Sequence, residues 1–141
     1  MAIAVWNSQY ETGIDRIDAQ HKALFQAFNS INDAINAGGS ADGIKAGLDF
    51  LARYTMEHFP AEETVMRGMG FPKLASHKVE HGKLVAKLQD LQVKQANGSL
   101  LTGEVAMFIA HWLAVHINEA DMEYIQFAQA KAQYRANHQS L

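Results

Sequence analysis

The chain has 141 residues, 48% of them apolar, with 12 Lys and Arg against 15 Asp and Glu for a formal net charge of −3. That length fits a single domain, residues 1–141, able to bury a core of its own, and the small mixed charge supplies neither the basic field that nucleic acid requires nor a polybasic membrane patch. Cysteine is absent, which excludes disulfides, thiolate nucleophiles and thiolate metal sites together, so any bound metal must be held by nitrogen and oxygen.

Residues 1–17 show no clear period and read as an N-terminal arm, which Trp6 and Tyr10 are expected to pin to the rest. The stretch 1–10 is too short and too polar for a signal peptide, and no Arg-rich targeting segment or run of about 18 apolar residues occurs, so a cytoplasmic protein without a membrane span is expected. Four long segments with helical periodicity follow, at residues 18–37, 41–66, 73–96 and 102–135. They are separated by loop signals at Gly38-Gly39-Ser40, at Gly68 to Pro72 and at Asn97-Gly98-Ser99. Short loops between long helices make sequential helices antiparallel, so the expected fold is all-α, an up-down-up-down four-helix bundle over residues 18–135.

Each helix carries an apolar seam at alternating steps of three and four, the stripe that faces a bundle core. The first has Ile17, Leu24, Phe28, Ile31 and Ile35, and the second has Ile44, Leu48, Leu51, Thr55 and Val65. The third has Leu74, Leu84, Leu88 and Leu91, and the fourth has Val105, Ile109 and Trp112. Polar residues interrupt all four. His21 fills the slot between Ile17 and Leu24, His58 and Glu62 fill two slots between Thr55 and Val65, His77 and His81 fill two between Leu74 and Leu84, and His116 takes the slot after Trp112. His111 and His138 fall off the seams and read as surface residues.

A buried carboxylate without a partner costs roughly several kcal/mol, and no Lys or Arg shares these seams to neutralise it. Divalent cations resolve the conflict, because they take neutral imidazole nitrogen together with anionic oxygen. Any one element has a bland reading, since a lone seam histidine is usually a hydrogen-bonded core residue and His-x-x-x-His pairs are common on helices. Convergence from four helices favours a metal site. Five histidines and at least one carboxylate exceed the roughly four ligands of a tetrahedral zinc site, which points to two ions. Imidazole and carboxylate without thiolate suit iron, with manganese and zinc left open.

The runs His58-Phe59-Pro60-Ala61-Glu62-Glu63, His77-Lys78-Val79-Glu80-His81 and Trp112-Leu113-Ala114-Val115-His116-Ile117 followed by Asp121, with Asp18-Ala19-Gln20-His21-Lys22 before them, resemble the hemerythrin family, and its stand-alone bacterial members in particular. The likeness runs from about Trp6 to Tyr124. It implies reversible O2 binding, as carrier, store or delivery protein, at a non-haem centre of two iron ions (Fe2+/Fe3+) with a bridging hydroxide or oxo group. His77, His81 and His116 would hold a coordinatively full iron, His21 and His58 an iron with an open position, and Glu62 and Asp121 would bridge the two. Leu24, Phe59, Trp112, Leu113 and Ile117 match positions that wall the O2 site in the family.

Two features of this assignment escape simple periodicity. Asp121 is five residues after His116, about 140° around an ideal helix, and a π-bulge between them is one hypothesis that would bring both to one face. Pro60 lies between His58 and Glu62, removes a helical hydrogen bond and is expected to kink the second helix. Rival readings are an O2 or redox sensor acting through a separate signalling partner, an oxidase-like or peroxidase-like di-iron protein or an iron store, and a zinc-held structural bundle. The ferritin-type rivals need Glu-x-x-His motifs, and none of the glutamates here begins one. No Ser-His-Asp site, phosphate loop or zinc-protease motif occurs, so no dedicated enzymatic turnover is expected. An oxygen-using enzyme or a signalling protein is the expected class of partner.

Overall fold

The first helix, α1, spans Asp15–Asn36, and its start is built by the arm. Thr12 donates from its backbone N–H and from its hydroxyl to one carboxylate oxygen of Asp18, at 2.9 and 2.8 Å. Asp15 and Asp18 in the first turn also complement the helix dipole. These contacts carry the helix three residues further back than the 18–37 expected from periodicity. The computed structural model describes residues 4–38, 41–100 and 102–138, so the expected loop residues Gly39 and Ser40 and the ends of the 1–141 domain lie outside the described residues.

Helix α2 spans Ala41–Met69 and outlasts the expected end at 66. Gly68 is helical, and the turn comes at Gly70, whose φ of +71° suits glycine. There the N–H of Phe71 reaches Met66 O (3.0 Å) and that of Gly70 reaches Arg67 O (3.1 Å), a paired closure of the last carbonyls. Helix α3, Leu74–Ala96, ends in the same way around Gly98. The expected kink does not divide α2, because Pro60 lies inside one uninterrupted helix. The fourth helix is not uniform. It consists of α4 at Thr102–His111, a π-helical segment at Trp112–Asp121, and α5 at Met122–Asn137. The π segment meets the expectation raised by the His116–Asp121 spacing and is longer than a single-turn bulge.

Successive helices lie side by side, α1 on α2 and α2 on α3, with the fourth helix closing an antiparallel up-down-up-down bundle against α1 and α3. The larger core joins Leu24, Phe28 and Ile31 to Leu48, Leu51, Leu84, Leu88, Val105, Ile109 and Trp112. Each such fully buried side chain contributes about 1.5–3 kcal/mol. A smaller cluster of Met66, Phe71, Tyr124 and Ile125 fills the opposite end. The polar seam residues lie between the two. The arm is held as expected: Tyr10 and Trp6 pack edge-on against Phe25 at ring distances of 4.8 and 5.4 Å, while Asn29 accepts from Ala4 N–H and donates to Ala4 O, both at 2.8 Å. Among the described residues no helix is long and apolar enough to cross a membrane.

Candidate metal centre

The seam count places His21 on α1, His58 and Glu62 on α2, and His77 and His81 on α3, all facing inward. His116, also given by the seam count, and Asp121 lie on the π segment. A straight α-helix would carry Asp121 off the face of His116, and the wider π turn returns it. All seven side chains are buried, with Glu62, His58 and Asp121 at 0% exposure. Pro60 therefore turns neither of its flanking residues away from the core. His111 and His138 are exposed, as expected from their positions off the seams.

The seven form two groups that share their carboxylates. Glu62, His77, His81, His116 and Asp121 present ligand atoms within 4.8 Å of one another, and so do His21, His58, Glu62 and Asp121. Asp121 divides cleanly between them: Oδ1 lies 2.9 Å from His77 Nε2 and 3.1 Å from His116 Nε2, while Oδ2 lies 3.2 Å from His21 Nε2. Glu62 Oε1 stands between His58 Nε2 (3.2 Å) and His81 Nε2 (3.3 Å), and Oε2 lies 3.5 Å from His21 Nε2.

These approaches are short but do not follow hydrogen-bond directions. Among the described residues, ten buried side-chain nitrogen and oxygen atoms lack a hydrogen-bond partner, and all but Trp112 Nε1 belong to these seven residues. They include the Nε2 of every one of the five histidines. Buried polar atoms normally find partners. A set of nitrogen lone pairs and carboxylate oxygens that converge without bonding one another is a donor set for cations, and its chemistry fits two ions bridged by two carboxylates.

Electrostatics give the same account. Burial opposes charge on His21, but the Asp121 and Glu62 carboxylates outweigh it and raise its pKa to about 10. His116 is raised too, burial again being overcome by Asp121. Burial works against ionised Glu62, yet the nearby His58 and His21 hold it well below the usual carboxylate range. Burial and the Glu62 charge oppose ionisation of Asp121, and His116 with His21 overcome them to hold it low. Without metal the cluster thus balances its charge by protonating imidazoles, and metal ions would displace those protons.

Three partners outside the ligand set escaped the sequence reading. Tyr124 donates to Glu62 Oε2 at 2.8 Å, and burial together with the two carboxylate charges pushes its phenol far above the ordinary range, which keeps it a donor. His58 Nδ1 lies 2.8 Å from Gln20 Oε1, and His81 Nδ1 lies 2.8 Å from Glu63 Oε2. Gln20 carried a usable signal, since it sits three residues after Ile17 and four before Leu24 on the seam. Glu63 carried none, because a residue beside a seam position reads as solvated.

The residues expected to wall an O2 pocket share the larger apolar cluster. Leu24, Phe59, Trp112 and Ile117 are buried in it, and Leu113 packs partly buried against it. Phe59 lies against the histidines, its ring parallel to that of His81 at 3.9 Å between centroids and 5.6 Å from that of His58.

Comparison with known proteins accords with this site. Residues 12–128 match the profile of the Hemerythrin HHE cation binding domain. A bacteriohemerythrin of Methylococcus capsulatus is 35% identical over 126 residues, 88% of this chain and 95% of that protein. A bacteriohemerythrin of Clostridium acetobutylicum is 31% identical, covering 86% of this chain and 98% of that protein. A hemerythrin-like protein of Naegleria gruberi is 34% identical, over 84% and 88%. The crystal structure of a wild-type hemerythrin superposes with a TM-score of 0.77 at 35% identity, over 87% of this chain and 95% of that one.

Proposed function

The chain belongs to the hemerythrin family, and on that premise we propose that it binds O2 reversibly at a non-haem centre of two iron ions. The observation that carries this reading is the pair of histidine groups that share Glu62 and Asp121 and leave every histidine Nε2 without a hydrogen-bond partner. His77, His81 and His116 serve one ion, His21 and His58 the other, and the two carboxylates span both. The second group offers one histidine fewer, which leaves a coordination position for the ligand. Iron, as the Fe2+/Fe3+ couple with a bridging hydroxide or oxo group, supplies the electrons that O2 binding requires.

The protein's own residues have three tasks. Gln20 and Glu63 accept from the Nδ1–H of His58 and His81, which fixes the tautomer and turns each Nε2 inward. Tyr124 holds Glu62 Oε2 in place. Leu24, Phe59, Trp112, Leu113 and Ile117 exclude water, and this wall contains no acid or base able to deliver a proton and drive irreversible oxidation. That absence favours reversible binding over turnover in our reading. We place the protein in the cytoplasm, with an oxygen-using enzyme or a signalling protein as the class of partner.

The test is the visible spectrum of the iron-loaded, chemically reduced protein, sealed from air, then aerated, then degassed. A colourless sample that gains a charge-transfer band in air and loses it on degassing is expected. A band that persists after degassing moves the function to oxidation chemistry, and a preparation that holds stoichiometric zinc and shows no band removes the O2 reading.

A further inference from the structure

His81 is held on two sides by side chains outside the seven-residue set. Its Nδ1 faces the Glu63 carboxylate at 2.8 Å, and the Phe59 ring lies parallel to its own, with 6° between the planes. Glu63 is 19% exposed and follows Glu62 on α2, at the edge of a groove between α2 and α3 that Phe59, Lys78 and Gly82 also line. The opposite group is treated differently. His58 Nδ1 faces a neutral amide oxygen of Gln20, and His21 Nδ1 is buried with no partner.

We propose that Glu63 is a positioning residue for His81 that also makes the two metal positions electronically unequal, because a carboxylate backs His81 where an amide backs His58. The inference rests on the reading of His81 and His58 as ligands. With Nε2 turned inward, the His81 proton sits on Nδ1 and is donated to Glu63. A hydrogen bond to an ionised acceptor is about twice as strong as a neutral one. It also makes the imidazole a stronger donor to a cation. The position served by His77, His81 and His116 therefore favours the higher oxidation state more than the position served by His21 and His58. The stacked Phe59 ring restricts His81 to one orientation and keeps that bond aligned.

Iron-loaded wild type, Glu63→Ala, Glu63→Gln and Gln20→Glu test this through two readouts that do not depend on O2. The first is the rate at which a ferrous chelator strips iron without air, and the second is the reduction potential. Glu63→Ala is expected to accelerate release of one of the two irons, about 10- to 100-fold as for other partners of metal-bound histidine. Glu63→Gln keeps an acceptor oxygen and restores slow release, yet its potential rises with that of Glu63→Ala because the charge is gone. Gln20→Glu lowers the potential. Wild-type release from Glu63→Ala overturns the positioning role, and one potential shared by all four proteins overturns the electronic role of the Glu63 charge. A wild type that takes up no iron overturns the ligand reading itself, and this inference with it.

Discussion

His21 shows how much chemistry one buried residue concentrates. Neither of its ring nitrogens has a hydrogen-bond partner, and Nε2 stands near both shared carboxylates. In the metal-free protein its pKa rises from 6.5 to about 10, so its stabilising charge is fully present below pH 6.5 and is lost as pH climbs through about 10. Glu62 and Asp121 are shifted down, so their contribution is present above their ordinary values and is lost toward acid. The thermal midpoint of metal-free protein should therefore fall from pH 6.5 toward 10, while metal-loaded protein escapes this decline because its imidazoles are already deprotonated. Parallel pH profiles for the two forms, recorded by circular dichroism, would refute the shared charge balance. His77→Ala tests the ligand set directly. It removes an Nε2 that stands 2.9 Å from Asp121 Oδ1, and elemental analysis should find reduced metal occupancy in a protein that still folds.

The elements were legible to different depths. The three-four seams of α1, α2 and α3 are set by local sequence and appear as expected, because burying an apolar stripe is the main way such a helix becomes stable. Their ends were not readable to the residue. The Thr12–Asp18 bonds extend α1 backwards, and Gly70 rather than Gly68 ends α2, since a glycine's conformation depends on which closure the chain completes. The π segment was signalled only by the His116–Asp121 spacing in the family resemblance. Its ten-residue extent reflects packing around the site and was not visible in any local propensity. Pro60 lies on the exposed face of α2, and the hydrogen bond it removes does not end the helix, which continues through it. One close approach carries an element-scale prediction. A methyl group on Gly47 of α2 would overlap Cγ1 and Cδ1 of Ile31 on α1, and overpacking of this kind costs about 1–3 kcal/mol. Gly47→Ala should lower the denaturant midpoint measurably, and an unchanged midpoint would mean that α1 and α2 can separate without loss.

For the molecule as a whole, seven buried polar side chains stand between two apolar clusters, in a bundle that would otherwise be ordinary. Such an arrangement is costly without cations, because two carboxylates are buried with only protonated imidazoles to offset them and most of the polar atoms lack hydrogen-bond partners in a water-poor interior. Stripping metal with a chelator should lower the thermal midpoint and increase amide exchange on both sides of the site, in α2 and in the π segment above all. Equal midpoints with and without metal would mean that the fold does not depend on the centre. The sequence by itself determined the class of fold, the five inward-facing histidine positions with Glu62, and, through family resemblance, Asp121, because seam periodicity and cysteine absence act locally along the chain. Only the tertiary structure decided how the carboxylates divide between the two groups, that the π-helical turn bringing Asp121 to the site runs over ten residues, and that Gln20, Glu63 and Tyr124 back the donors. Those relations join residues far apart in sequence, and their geometry exists only once the helices have packed.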